Sequence, residues 1–111
     1  MLEIKTDEID QETCLVELRG EIDSYSSDQL RESIDELLKK DKIKAVVDME
    51  NLDYIDSTGL GLLVGWAKEL RSKKGDIHLL NPVRRVENVI KLTNLTRLLK
   101  IFTNRKKAMK F

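Results

Sequence analysis

Three side chains that carry chemistry stand together near the middle of the chain: Asp56, Ser57 and Thr58, followed by Gly59-Leu60-Gly61. Asp, Ser and Thr are residue types that favour helix N-caps, and an apolar helical period begins directly after them. Their side chains are therefore expected at the positive end of a helix dipole, beside backbone N–H groups that lack intrahelical partners. A hydroxyl there is exposed, and an anion attached to it meets favourable electrostatics. The plain role of such a stretch is capping; the sharper one is a hydroxyl that is modified. A further carboxylate, Asp23, closes Gly20-Glu21-Ile22-Asp23 at a predicted strand end, where open α/β sheets collect functional groups. Its plain role is that of a turn or cap carboxylate.

Nothing in the sequence equips Ser57 to act as a nucleophile. Ser57 does not sit in Gly-x-Ser-x-Gly, and one histidine, His78, would have to serve as its base. His78 has no Cys or His neighbour at metal-ligand spacing and is read as structural. No Gly-x-x-x-x-Gly-Lys-Ser/Thr loop is present to cradle phosphates. We therefore expect no enzyme activity, no metal and no cofactor. A hydroxyl without catalytic machinery points to one that is acted upon.

The elements that must position these groups follow from hydrophobic periodicity. Leu2–Ile9 alternates loosely and Thr13–Arg19 more cleanly, with a polar turn at Asp10-Gln11-Glu12; a short linker predicts an antiparallel pair. Leu15 breaks the alternation, as expected where a strand is buried on both faces. Ser26 and Gln29 have capping-box spacing ahead of a helix over about 27–40 with Leu30, Ile34, Leu37 and Leu38 inward. Ile43–Met49 reads as a central parallel strand, and Leu52 and Ile55 as core plugs from the following loop. The helix after Ser57 carries Leu60, Leu63, Val64, Ala67 and Leu70 on its core stripe. Leu62 and Trp66 lie to one side and are candidate partner contacts, with Trp66 alternatively covering the edge of the core. Gly61 and Gly65, one turn apart, leave a groove, which suggests close packing within the fold or against a partner. Gly75 is expected at the C′ position of this helix. A strand over 76–80 follows, then Asn81 as N-cap with Pro82 at the first helical position. Val83, Val86, Val89 and Ile90 face inward on that helix. A last strand over 100–103 leads to a basic tail with room for one short helix and otherwise a solvated end. The class is α/β: a single domain over residues 1–111 with a mixed, mostly parallel sheet of four to five strands, an N-terminal antiparallel pair and packed helices.

Composition sets the outer bounds. The chain has 111 residues, 41% hydrophobic and 36% charged, the profile of one globular domain able to bury a core. Cys14 has no second cysteine to pair with, which fits a reducing cytosol. There is no signal-peptide layout and no membrane-spanning stretch. The formal net charge of +0 conceals an asymmetry: residues 1–60 carry 17 acids and 7 bases, and residues 61–111 carry 3 acids and 13 bases. We expect the two halves to interleave and attract on folding; the alternative is an acidic face near Ser57 and a basic face near the C-terminus. Nucleic-acid binding by the basic half lacks a recognised motif or stacking platform.

The chain resembles the STAS domain family and, within it, the bacterial anti-sigma factor antagonists. The resemblance runs essentially end to end. It rests on Gly20-Glu21-Ile22-Asp23, on Asp56-Ser57-Thr58-Gly59-Leu60-Gly61 before a helix, and on the element order. It implies a cytoplasmic switch protein that binds an anti-sigma factor, itself a serine kinase, and so frees a sigma factor. It implies that the kinase phosphorylates the serine after the motif aspartate, here Ser57, with Thr58 the secondary acceptor. It also implies that a PP2C-like serine phosphatase reverses the mark. Asp23, Asp56, Gly59, Gly61, Leu62 and Trp66 would form or support the partner-binding surface, with neither nucleic acid nor membrane bound directly. The alternative is a non-switching STAS scaffold in a stress-signalling assembly, with Ser57 a cap only.

Overall fold

The computed structural model describes residues 1–111. Five strands form one sheet in sequential order: β1 (Leu2–Glu8), β2 (Thr13–Ile22), β3 (Lys44–Ile55), β4 (Asp76–Leu80) and β5 (Lys100–Phe102). β1 and β2 are antiparallel, and every later pair is parallel. The β1–β2 turn is set by Asp10, whose carboxylate accepts from the amides of Glu12 and Thr13 at 3.0 and 2.8 Å. Helices α1 (Ser27–Lys39), α2 (Ser57–Ser72) and α3 (Arg84–Leu92) make the parallel crossovers, and a short α4 (Arg105–Ala108) follows β5. With strands in sequential order, crossovers of one hand place all three helices on one face. Their buried side chains accordingly share one cluster with the alternating residues Cys14, Val16, Leu18, Ala45, Val47, Ile77 and Leu79. Burial in this cluster pushes the Cys14 thiol up to about 11.

The other face of the sheet carries a smaller core of Leu15, Val46 and Leu80, closed by Ala108 and flanked by Phe102 and Met109. Leu15 is thus buried on the face opposite its neighbours, as its break in the alternation predicts. The C-terminal tail is not a solvated end. The Ala108 carbonyl lies 2.7 Å from His78 Nδ1, and the Phe111 ring stacks on the imidazole at 3.9 Å. His78 is buried, which holds its pKa below the usual histidine range; the neutral ring then donates from Nδ1 to Ala108.

β3 does not end at Met49. It runs on to Ile55, so Leu52 and Ile55 reach the core from a strand rather than from a loop. Register shifts against β2 between Glu17 and Arg19 and between Gly20 and Glu21 hide this extension from a simple alternation test. Three helix termini also differ from expectation. Ser26 precedes α1 but makes no capping bond; its hydroxyl turns back to the Glu21 carbonyl and the Asp23 carboxylate, and Gln29 donates to the Leu2 carbonyl. At the end of α2, Lys74 takes the left-handed position (φ 65°). Gly75 follows at C″, its amide on the Leu70 carbonyl at 2.7 Å, which is the Schellman arrangement. Glycine is required there because a Cβ would stand 1.7 Å from the Ile43 carbonyl oxygen. Finally, α3 is preceded by Val83, while Asn81 adopts φ 50° and donates its amide to Phe102. The Asn81-Pro82 pair therefore ends β4 rather than capping α3.

The two charged halves stay apart. Sequential strand order puts β1–β3 on one side and β4–β5 on the other. No ion pair joins residues 1–60 to residues 61–111. The expected interleaving is replaced by a charge-polarised molecule.

Candidate functional site

The site lies where β2 and β3 end side by side. Ile22 pairs with Ile55 in the parallel register, and both are buried. The residue that follows each strand is an aspartate, so Asp23 and Asp56 occupy corresponding positions at the C-terminal ends of two central strands. The Asp56 amide donates to the Ile22 carbonyl at 3.0 Å and ties the two strand ends together.

Asp56 is the N-cap of α2. Its backbone is extended, and its carboxylate accepts from the Gly59 amide at 2.8 Å, while its carbonyl receives the first helical bond from Leu60. Of the three cap-type residues, the aspartate thus makes the cap, and Ser57 is the first residue of the helix proper. Ser57 and Thr58 are both exposed, and neither hydroxyl is used in the capping bond. Their amides are among the first-turn N–H groups that a helix leaves without internal acceptors. Gly59 is the third helical residue and is buried; a Cβ there would stand 2.4 Å from Ile22 Cγ2 and 3.0 Å from Ile55 Cγ1. Its missing side chain lets the start of α2 press against both strand ends. The motif thus combines a cap, an exposed hydroxyl and a spacer.

Asp23 is held by its own turn. Its carboxylate accepts from the amides of Tyr25 and Ser26 at 3.0 and 3.1 Å and lies 3.0 Å from the Ser26 hydroxyl. The Ser26 hydroxyl is the main cause of a pKa below the usual aspartate range, so the group is a carboxylate at neutral pH. This end of the sheet therefore presents two aspartates in matching positions beside an exposed serine.

Further along α2, from Gly61 to Glu69, a groove of about 320 Å³ lies between α1 and α2, lined in part by Ile34, Leu38, Gly61, Leu62, Gly65 and Trp66. A Cβ on Gly61 or Gly65 would meet nothing within 4 Å. The close packing expected at these glycines is therefore not internal; they form an open floor. Trp66 is not an exposed anchor. It is 2% exposed and belongs to the core, and its Nε1 is the one buried side-chain polar atom without a partner. Leu62 is half-buried at the groove wall.

Sequence reasoning passed over two residues at this end of the sheet. Tyr25, in the Asp23 turn, is 95% exposed, and Tyr54, two residues before Asp56, is 44% exposed. A tyrosine within the polar run Ser24–Ser27 has no core to enter, and that was the available signal. Amphipathic rings of this kind are enriched at protein interfaces. No cluster of three or more His, Cys, Asp or Glu side chains has metal-site geometry, and no helix is long and apolar enough to cross a membrane.

Comparison with known proteins identifies the fold and the family. The STAS domain model matches residues 4–108. An anti-sigma-B factor antagonist of Listeria monocytogenes is 32% identical over 103 residues, covering 90% of this chain and 86% of that protein. The anti-sigma factor antagonist SpoIIAA, solved in its unphosphorylated form, superimposes with a TM-score of 0.81 at 25% identity, over 95% of this chain and 92% of that one. The phosphorylated form of the Bacillus SpoIIAA gives a TM-score of 0.75 at 25% identity, over 95% and 96%. The chain belongs to the STAS domain family, among relatives that are anti-sigma factor antagonists.

Proposed function

We propose that the chain is a cytoplasmic anti-sigma factor antagonist: unmodified, it binds an anti-sigma factor that is also a serine kinase, and phosphorylation of Ser57 releases that partner. The observation that carries the proposal is the division of labour at the helix start. Asp56 does the capping, so the Ser57 hydroxyl is exposed and available for modification without loss of a structural bond. The existence of a phosphorylated form of SpoIIAA supports the same chemistry in a relative.

The electrostatics favour a switch over an unfolding event. A phosphoserine carries about −1.5 to −2 charges at neutral pH. At the first helical residue it meets the positive end of the helix dipole, which is locally stabilising by about 0.3–1 kcal/mol. At an interface the same group adds to Asp56 and Asp23 and must be desolvated for the partner to dock. The fold is retained and binding is lost. Asp23 and Asp56 shape the docking edge, with Gly59 holding it in place and Gly61 and Leu62 extending it along α2, while the buried Trp66 supports the groove from beneath. Thr58 is the secondary acceptor, and a PP2C-like serine phosphatase resets Ser57. The scaffold alternative needs Ser57 as a cap, a task that Asp56 performs.

The test is a co-purification from source cells with ADP present, using the wild type, Ser57→Ala and Ser57→Asp. The expected outcome is a kinase-like anti-sigma factor retained by the first two and absent from the third. Retention of one large assembly by all three would return the chain to the scaffold role.

A further inference from the structure

The end of the sheet opposite Ser57 carries a second feature, independent of the proposed switch. Lys44, Asp76 and Lys100 begin β3, β4 and β5, and with Lys74 and Lys110 they surround a cavity of about 540 Å³. That volume lies within the range of small-molecule sites. Four lysines line the cavity from four separate places in the chain: a strand start, a helix-to-strand turn, a second strand start and the C-terminal tail. One acidic side chain, Asp76, lines the same space, and it is already engaged by Arg71 Nε and Lys100 at 3.0 Å each. Lys44 has a single distant partner, Glu12 at 3.9 Å. Lys74 and Lys110 have no carboxylate partner at all. No acidic residue of the N-terminal half apart from Glu12 answers this positive charge.

The backbone at Lys74 is a second, separate observation. All three main helices end in the same left-handed turn, at Asp41 (φ 59°), Lys74 (φ 65°) and Asn94 (φ 57°). Asp and Asn tolerate that conformation through their short polar side chains, whereas a long side chain with a Cβ is strained there. A lysine at a position that glycine or asparagine fills with less strain points to work done by its ammonium. The 44% exposed ring of Phe111 adds an apolar wall on the rim.

We propose that this cavity is a binding site for a compact polyanion bearing two linked phosphates, an organic diphosphate with its apolar part against Phe111. Lysine ammoniums act as mobile point charges that suit phosphate oxygens without demanding a planar, bidentate geometry. Lys44, Lys74 and Lys110, with no carboxylate closer than 3.9 Å, beside the Lys100–Asp76 pair match a ligand with more than one negative charge.

The probe is inorganic pyrophosphate, titrated calorimetrically into the full chain at low ionic strength, with amide chemical shifts followed in parallel. The expected result is one saturable site that weakens with added salt, with shifts confined to the amides around Lys44, Lys74–His78, Lys100 and Lys110 and none at Ser57. The Lys74→Gly/Lys110→Gln pair removes two ammoniums while easing the turn; it should lose about tenfold in affinity and melt no lower than wild type. A control pair of exposed, unpaired lysines elsewhere, Lys39→Gln/Lys68→Gln, should bind as wild type. Absence of saturable binding up to about 10 mM pyrophosphate, the affinity of a millimolar-range site being about −4 kcal/mol or weaker beyond it, would overturn the proposal. So would equal losses in both variant pairs, equal affinity for orthophosphate, or tighter binding of an acidic peptide. If the Lys74→Gly pair fails to fold, the wild-type shift map still decides the matter, because shifts spread over all basic surfaces would overturn a single site.

Discussion

Glycines 59 and 61 make a test of the site's architecture, because the same substitution should act with opposite sign two residues apart. In Gly61→Ala the new methyl meets nothing within 4 Å, so the change brings only helix propensity, a gain of about 1 kcal/mol. In Gly59→Ala the propensity gain is similar, but the Cβ falls 2.4 Å from Ile22 Cγ2 and 3.0 Å from Ile55 Cγ1. Those side chains are 0% and 3% exposed and have little room to move away. Overpacking of this kind costs about 1–3 kcal/mol. Propensity cancels between the two variants, so their difference isolates the clash at about 1–3 kcal/mol, Gly61→Ala being the more stable. With a urea m-value of about 1.5 kcal/mol/M, the unfolding midpoints should separate by roughly 0.7–2 M. The assay is urea denaturation followed by Trp66 fluorescence, with m-values compared to confirm that the end states are unchanged. A Gly59→Ala midpoint equal to or above that of Gly61→Ala would refute the view that Gly59 seats the helix start on the two strand ends.

Other expectations follow from the same geometry. Asp23→Asn keeps an acceptor for the Tyr25 and Ser26 amides but removes the charge; it should change stability by less than about 1 kcal/mol while slowing Ser57 phosphorylation or weakening docking, and unchanged rates and affinity would dismiss its role. Filling the groove floor with Gly65→Leu should leave the melting temperature within a few degrees yet lower affinity for the anti-sigma factor; unaffected binding would place the interface elsewhere. His78 titrates below the usual histidine range because it is buried. The unfolded chain therefore binds this proton first as pH falls. Stability is fully present above about pH 6.5, the ordinary histidine value, and declines as pH drops below it, with a slope of at most about 1.4 kcal/mol per unit for one proton. His78→Phe, which retains a ring beside Phe111, should lack that component between pH 7 and 5; an identical pH profile would show that His78 does not contribute.

The parts of this molecule that were legible in the sequence are those where one local pattern determined the outcome. The strand-and-helix order, the antiparallel first pair, the core stripe of α2 and the helix start at Asp56-Ser57-Thr58-Gly59 all follow from periodicity and cap chemistry. Leu15 was readable as a strand position buried on its second face because its break in alternation has one structural cause. What was not legible depends on neighbours distant in sequence. The run of β3 past Met49 is concealed by register shifts against β2. Whether Lys74 or Gly75 takes the left-handed turn is decided by the Ile43 carbonyl, a strand away. The Ser26-Gln29 capping box loses to the Asp23 turn and to the Leu2 carbonyl, which offer those side chains other partners. Trp66 lies to one side of the core stripe of α2, and its burial becomes visible only once the helices pack together. The tail carries too few apolar residues to signal a core, yet Ala108 and Phe111 close the second face against His78. The segregation of charge likewise rests on sequential strand order, which a count of acids and bases cannot provide.

The central claim is that phosphate on Ser57 removes binding without removing the fold. The most direct measurement takes the chain and its co-purified anti-sigma factor, phosphorylates the chain with that partner and ATP, and maps the site by fragmentation mass spectrometry. Binding and thermal unfolding of the two forms are then compared. The expected result is one phosphate, on Ser57, a melting temperature within a few degrees of the unmodified form, and affinity lower by at least about a hundredfold, or roughly 2.7 kcal/mol. Equal affinity of both forms, phosphate on another residue with Ser57→Ala still switching, or collapse of the fold on phosphorylation would contradict it.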